Sequence, residues 1–204
     1  MKNIFKYSVF VIVFFVSAYL LFIVTKKINT NPERKIGQAI DSLNGVVVYY
    51  NGGVDEVEGK DISANYYLGL KYQCVEFVNR YYYQYYHHKM PNPFGNAVDF
   101  YDGDVKDGGL NKKTNLIQFL NPSKENPKQG DILIFNKSPG NKYGHIAIIS
   151  SVNEHEIEII QQNCGAYGSA RAKFALQVIG DTLYYIKSKK TLGRLRMPHL
   201  PFLK

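Results

Sequence analysis

The segment QCVEFVNRYYYQYYHH, residues 73–88, decides how the rest of the chain is read. Its apolar positions Cys74, Phe77, Val78, Tyr81, Tyr82 and Tyr85 fall at offsets of 0, 3, 4, 7, 8 and 11, the stripe of a helix with one buried face. Met90-Pro91-Asn92-Pro93 ends it, because proline has no amide hydrogen to give to the helix ladder. His87 and His88 stand where the carbonyl end of the helix favours positive charge. At the other end, Cys74 sits in the first turn, where about half a positive charge favours thiolate over thiol. The tyrosines at 81, 82, 83, 85 and 86 read as two or three core rings with the remainder on the rim.

Strands are expected on both sides of this helix. Upstream, Val46–Tyr50 (VVVYY) is a β-branched and aromatic run ended by Asn51-Gly52-Gly53. Downstream, Phe94–Gln129 is rich in Asn, Asp and Gly and reads as loop around a short helix at Asn115–Leu120. The acidic cluster Asp99, Asp102, Asp104 and Asp107 lacks the closing glutamate of a calcium loop, so it reads as solvated turns. Asp131–Asn136 (DILIFN), His145–Val152 (HIAIISSV) and Glu156–Asn163 (EIEIIQQN) are strands, the last two close enough to form an antiparallel hairpin. Asp181–Lys187 and Thr191–Met197 supply two more. One helix carrying a cysteine, followed by a meander of about five antiparallel strands, is an α+β arrangement.

His145 opens a buried strand directly after Gly144, where the missing side chain leaves the imidazole room. A thiol nucleophile needs such a base, and the base needs a polar group to hold its ring and select its tautomer. Gln161 and Asn163, at the far end of the partner strand, are the candidates. Register decides between them and Gln162, since a slip of one residue reverses every face. A two-residue turn at Asn153-Glu154 makes opposed residue numbers sum to 307 and sets His145 against Gln162. An odd-length turn gives 306 or 308 and puts His145 on the face of Gln161 and Asn163. No metal site is expected: neither cysteine belongs to a Cys-x-x-Cys pair, and no His-Glu-x-x-His is present. Cys164, next to Asn163, reads as a candidate redox partner near the site, and a disulfide with Cys74 is not expected because it would quench the nucleophile.

The chain has 204 residues, 45% of them hydrophobic and 21% charged, which suits one folded domain and excludes global disorder. The net charge is +8, but Lys2, Lys6, Lys26 and Lys27 bring half of it to the first thirty residues, which hold no acid. The remaining charge is spread over loops, and nucleic acid is not an expected partner. Tyr7–Thr25 is a run of nineteen uncharged residues. As a helix it is roughly 28 Å long, against a bilayer core of about 30 Å. No Ala-x-Ala cleavage site follows it, so it reads as a retained membrane anchor over residues 1–28 in preference to a cleaved signal. Residues 29–35 read as a polar linker and 36–200 as the catalytic domain.

The blocks Tyr72-Gln73-Cys74-Val75-Glu76-Phe77, Gly130-Asp131-Ile132-Leu133-Ile134-Phe135, Gly144-His145-Ile146-Ala147 and Gln161-Gln162-Asn163, in this order, resemble the CHAP family of cysteine, histidine-dependent amidohydrolases/peptidases. Within it they are most similar to the amidase half of the bifunctional glutathionylspermidine synthetase/amidases. Asn44-Gly45-Val46 and Thr191-Leu192-Gly193 extend the resemblance to roughly Leu43–Met197. It implies a papain-like fold with Cys74 as nucleophile and His145 as general base and then acid. The oxyanion would be held by the Cys74 backbone N–H and by Gln73. The family commonly has a glutamate where this chain has Gln161, so the ring would be oriented by a neutral amide, or by Asn163. No cofactor is implied. The expected substrate is an amide, in a peptidoglycan peptide or a glutathione–polyamine conjugate, cleaved by a monomer anchored through residues 7–25. The positive-inside count slightly favours a cytoplasmic domain, whereas the wall substrate requires an extracytoplasmic one, and the latter is expected. A pseudoenzyme that binds wall or peptide without cutting is the reading of another class, motivated by Gln161.

Overall fold

The computed structural model describes residues 2–180 and 182–198. The first element is helix α1 (Lys2–Thr25). Two small hairpins follow, β1 (Ala39–Leu43) with β2 (Val46–Tyr49) and β3 (Lys60–Ser63) with β4 (Tyr66–Leu70). Helix α2 (Cys74–Tyr85) comes next, then a 3-10 turn at Ala97–Phe100. The remaining strands are β5 (Gly109–Asn111), β6 (Leu116–Leu120), β7 (Ile132–Phe135), β8 (His145–Val152), β9 (Glu156–Ile160), β10 (Arg171–Ile179), β11 (Leu183–Ile186) and β12 (Thr191–Arg196). These eight form one antiparallel sheet in the order β11-β10-β9-β8-β7-β12-β6-β5.

The sheet is therefore larger than the expected five strands. Leu116–Leu120 is an extended strand, β6, where a short helix at Asn115–Leu120 was expected. Its LIQFL sequence alternates across the sheet and is paired on both sides, by β5 and β12, so tertiary pairing decides its conformation. The start of the strand expected at Asp181 and the domain limit at 200 fall on residues outside those described.

Alternate residues of the central strands feed two cores, as the two-residue period of a strand requires. Ile132, Ile134, Ile146, Ile148 and Ile160 pack with Phe77, Val78, Tyr81 and Tyr82 of α2. Leu133, Phe135, Ala147, Ile149, Ile157 and Ile159 form a second cluster. The tyrosine run divides into core and rim: Tyr81 and Tyr82 are fully buried, Tyr82 donating to Gly130 O at 2.9 Å, while Tyr85, expected on the buried stripe, is 45% exposed at the last residue of the helix.

From Tyr7 to Val24 most apolar side chains of α1 are exposed, and the segment Lys6–Thr25 is long and apolar enough to cross a membrane. The polar stretch after it is bonded to the domain. Tyr50 Oη donates to Asn29 Oδ1 (2.7 Å), Asn31 Nδ2 to Ala166 O (3.0 Å) and Tyr167 Oη to Thr30 O (2.7 Å).

Candidate active site

Cys74 opens α2, with Gln73 as an extended N-cap. Strand β4 runs tightly against this first turn because Gly69 has φ +146° and no side chain; a Cβ there would lie 2.7 Å from Glu76 Cα. The thiol is half-buried. Burial pushes its pKa up to about 11, with hydrogen bonding from the backbones of Ile146, Val75 and Cys74 itself acting the other way. The expected lowering by the helix start is thus outweighed by desolvation. The Ile146 contact also sets the sulfur beside the start of β8, one residue from His145.

His145 is the first residue of β8, opposite Phe135, whose ring centroid lies 6.0 Å from the imidazole. Gly144 precedes it with φ +72°, and a Cβ there would meet Val98 Cγ1 at 2.4 Å and Phe135 O at 2.5 Å. His145 Nε2 lies 2.8 Å from Gln161 Oε1. Gln161 Nε2 donates to Ser169 O at 3.1 Å, so the amide oxygen is the atom that faces the ring. The imidazole must then carry its proton on Nε2, leaving Nδ1 as the basic nitrogen. Burial lowers the His145 pKa, and the Gln161 contact only partly offsets this. Thiol raised and imidazole lowered together describe a neutral resting pair.

The register behind this contact is set by a β-bulge. Near the turn, Val152 opposes Ile157 and Ser151 opposes Glu158, so paired residue numbers sum to 309. That register, continued, would put His145 on the face of Gln162. Between Ile149 and Ser151 the strand holds one extra residue, Ser150, and beyond it Ile149–Ile159 and Ile148–Ile160 sum to 308. Ser150 Oγ secures the irregularity by donating to Glu158 O at 3.1 Å and to Glu158 Oε1 at 2.9 Å.

The other two residues of the Gln-Gln-Asn block anchor α2. Gln162 is fully buried; it accepts from Tyr49 N (2.8 Å) and donates to Gln73 O (3.0 Å) and Glu76 Oε2 (2.7 Å). Glu76 is paired with Arg80, both buried. Asn163, with φ +63°, donates to Val54 O (2.9 Å) and to Gln73 Oε1 and accepts from Asn51 Nδ2 (3.0 Å). Its amide thus holds Gln73, and the ring contact falls to Gln161. Gln73 in turn donates to Glu56 O at 2.6 Å. The buried network of Glu76, Arg80 and Gln162 was not foreseen from the sequence, since a Glu–Arg pair four apart on a helix is ordinarily a surface feature. Cys164 is a free thiol whose pKa burial raises to about 12, with the nearby Cys74 adding to the rise.

Gln73, Cys74, His145 and Asn163 line one open cleft of about 1040 Å³, together with residues of the 93–97 and 138–144 loops. Among the described residues, no group of three or more His, Cys, Asp or Glu side chains is gathered as a metal site requires.

Residues 65–163 match the family model described as CHAP domain. Trypanothione synthetase of Crithidia fasciculata is 28% identical over 104 residues, 51% of this chain and 16% of that protein. Among solved structures, Ly7917 with the hydrolyzing product of MDP is 19% identical with a TM-score of 0.37, covering 63% of this chain and 55% of that one. The endolysin LysIME-EF1 is 18% identical with a TM-score of 0.38, covering 70% of this chain and 59% of that one. The chain thus spans about a sixth of the curated relative and a little over half of each structure. The matched segment takes in Cys74, His145, Gln161 and Asn163 together, and over residues 65–163 the chain matches the CHAP domain family.

Proposed function

We propose that the chain is a membrane-anchored cysteine amidase or endopeptidase that cleaves an amide through an acyl-enzyme, in peptidoglycan peptides. The observation that carries this reading is the hydrogen bond from His145 to Gln161, which leaves Nδ1 free to act as base, with the Cys74 thiol bonded to the backbone of the next residue, Ile146. The resting pair is neutral, so the thiol loses its proton to Nδ1 as the sulfur attacks the carbonyl carbon. The oxyanion is met by the Cys74 N–H at the start of α2 and by the Gln73 side chain, which the Asn163 and Glu56 bonds hold in place. His145 then protonates the leaving amine. Water, deprotonated by the same nitrogen, attacks the thioester and restores the thiol.

Helix α1, exposed and apolar over Lys6–Thr25, serves as the anchor and leaves the domain on the outer side. A second substrate is favoured by one specific observation, the 28% identity to a trypanothione synthetase over half of this chain. On that reading the same chemistry acts on a glutathionylspermidine-type amide, and the domain is cytoplasmic.

The test is to offer the full chain, in detergent, muropeptides and glutathionylspermidine side by side, with Cys74→Ala as control. New amino groups from muropeptides alone are expected. Release from glutathionylspermidine alone would move the assignment to the second substrate. Turnover of neither, with or without Gln161→Glu, would make the protein a binder. A reporter fused after Lys204 that is active only in the cytoplasm would contradict the wall reading.

A further inference from the structure

The C-terminal turn of α1 is also one wall of the cleft that holds Cys74 and His145: Phe22, Lys26 and Lys27 line it. Lys26 crosses its mouth, its Nζ donating to Gly140 O at 2.8 Å on one side and pairing with Asp55 at 3.4 Å on the other. Asp55 N returns a bond to Lys26 O at 2.8 Å. Gly53 lies so close that a Cβ would stand 2.4 Å from the same oxygen. With residues 29–31 also bonded down, the domain sits on the end of the apolar helix without slack.

This attachment fixes where the cleft opens relative to a bilayer. From Phe22 to Lys27 the chain rises about 7 Å at roughly 1.5 Å per residue. If the lysines stand among headgroups, Phe22 reaches the boundary of the acyl chains, the layer about 5–10 Å deep where interfacial side chains bury. The rest of the rim has the composition of such a layer. Val57, Leu70, Phe94 and Tyr143 line the cleft and are 52, 37, 62 and 46% exposed, with Lys27 and Lys142 exposed beside them. Apolar and aromatic side chains gathered around one opening are costly in water and suited to a membrane surface, and lysines among them attract anionic headgroups.

Resting on the amidase reading above, we propose that this cleft takes a peptide amide presented at the bilayer surface on an anionic lipid anchor, and not a peptide free in solution. The anchor's phosphate meets Lys27 and Lys142, its chains enter the lipid alongside Phe22, and the peptide reaches Cys74 through the cleft.

The test reconstitutes the full chain in lipid nanodiscs and offers one peptide in two forms, free and coupled to a dialkyl phosphate lipid in the same disc. A second variant carries a twelve-residue Gly/Ser insertion between Thr25 and Lys26, which raises the domain by about 20 Å on average. The lipid-held peptide should be cleaved at least tenfold faster than the free one. The insertion should abolish that advantage, bringing the two forms of the peptide to about the same rate. Equal rates on both forms, indifferent to the insertion, would overturn the proposal. A readout that needs no catalysis uses the absence of tryptophan from this chain. Phe94→Trp should be quenched by lipids brominated near the headgroup end of their chains, and Val178→Trp, on β10 away from the cleft, should not. No quenching at position 94 overturns the lipid placement while the amidase stands. Cleavage of neither peptide overturns the amidase reading and this substrate with it.

Discussion

His145 and Gln161 meet at 2.8 Å only because the strand pair that carries them changes register at Ser150, two residues before β8 ends at Val152. One extra residue in β8 exchanges the face of Gln162 for that of Gln161. Gln162 is thereby released to the interior, where it holds Gln73 and Glu76.

Replacing the neutral partner should move the pH profile. Burial lowers the His145 pKa below its usual 6.5, so the imidazole stays neutral, and competent as a base, down to mildly acidic pH. In Gln161→Glu a carboxylate faces the ring and favours the imidazolium, raising its pKa by about 1–3 units. The acid limb of kcat/KM should shift to higher pH by that amount, and an NMR titration of the ring should follow it. Gln161→Leu, which removes the acceptor, should lower kcat roughly 10²-fold.

The thiol should behave as a buried one in the absence of substrate. With Cys164→Ala as background, alkylation of Cys74 by iodoacetamide should climb as pH rises past 9 toward its raised value of about 11. A labelling rate already at its plateau below pH 7 would show a preformed thiolate and contradict the neutral pair.

Position 144 should tolerate no side chain. A methyl there collides with Val98 and the Phe135 carbonyl and forces the backbone that presents His145 to move. Gly144→Ala should cost about 10²-fold or more in kcat. Gly140→Ala is the control, because its φ is similarly positive at +82° but nothing lies within 4 Å of the added carbon.

The Glu76–Arg80 pair should matter to stability more than to chemistry. Glu76→Ala leaves a buried guanidinium without its carboxylate and strips Gln162 of an acceptor. A loss of about 3–5 kcal/mol is expected, read as a fall of the melting temperature by roughly 10 °C.

Much of this site was legible in the sequence because its parts are local. The helix stripe from Cys74, the strand starting at His145 and the Gln161–Asn163 block each follow from spacing and turn residues. What the sequence left open was whatever depends on long-range pairing. The choice between Gln161 and Gln162 waited on a bulge that no residue at 150 announces. The strand β6 was hidden because Leu116–Leu120 takes its shape from β5 and β12. Strand β10, with Ala and Lys among its residues, has a weak pattern of its own and is held by β9 and β11. The anchor's place on the cleft was also illegible, since the linker reads as polar and unconstrained until Asn29, Asn31 and Lys26 are seen bonded to the domain.

The most direct measurement is the intact mass of the full chain during turnover. A covalent adduct at Cys74, equal to the acyl half of the cleaved amide and lost on further incubation, is the predicted result. Product formation that persists in Cys74→Ala, with no adduct on the parent chain, would contradict the account.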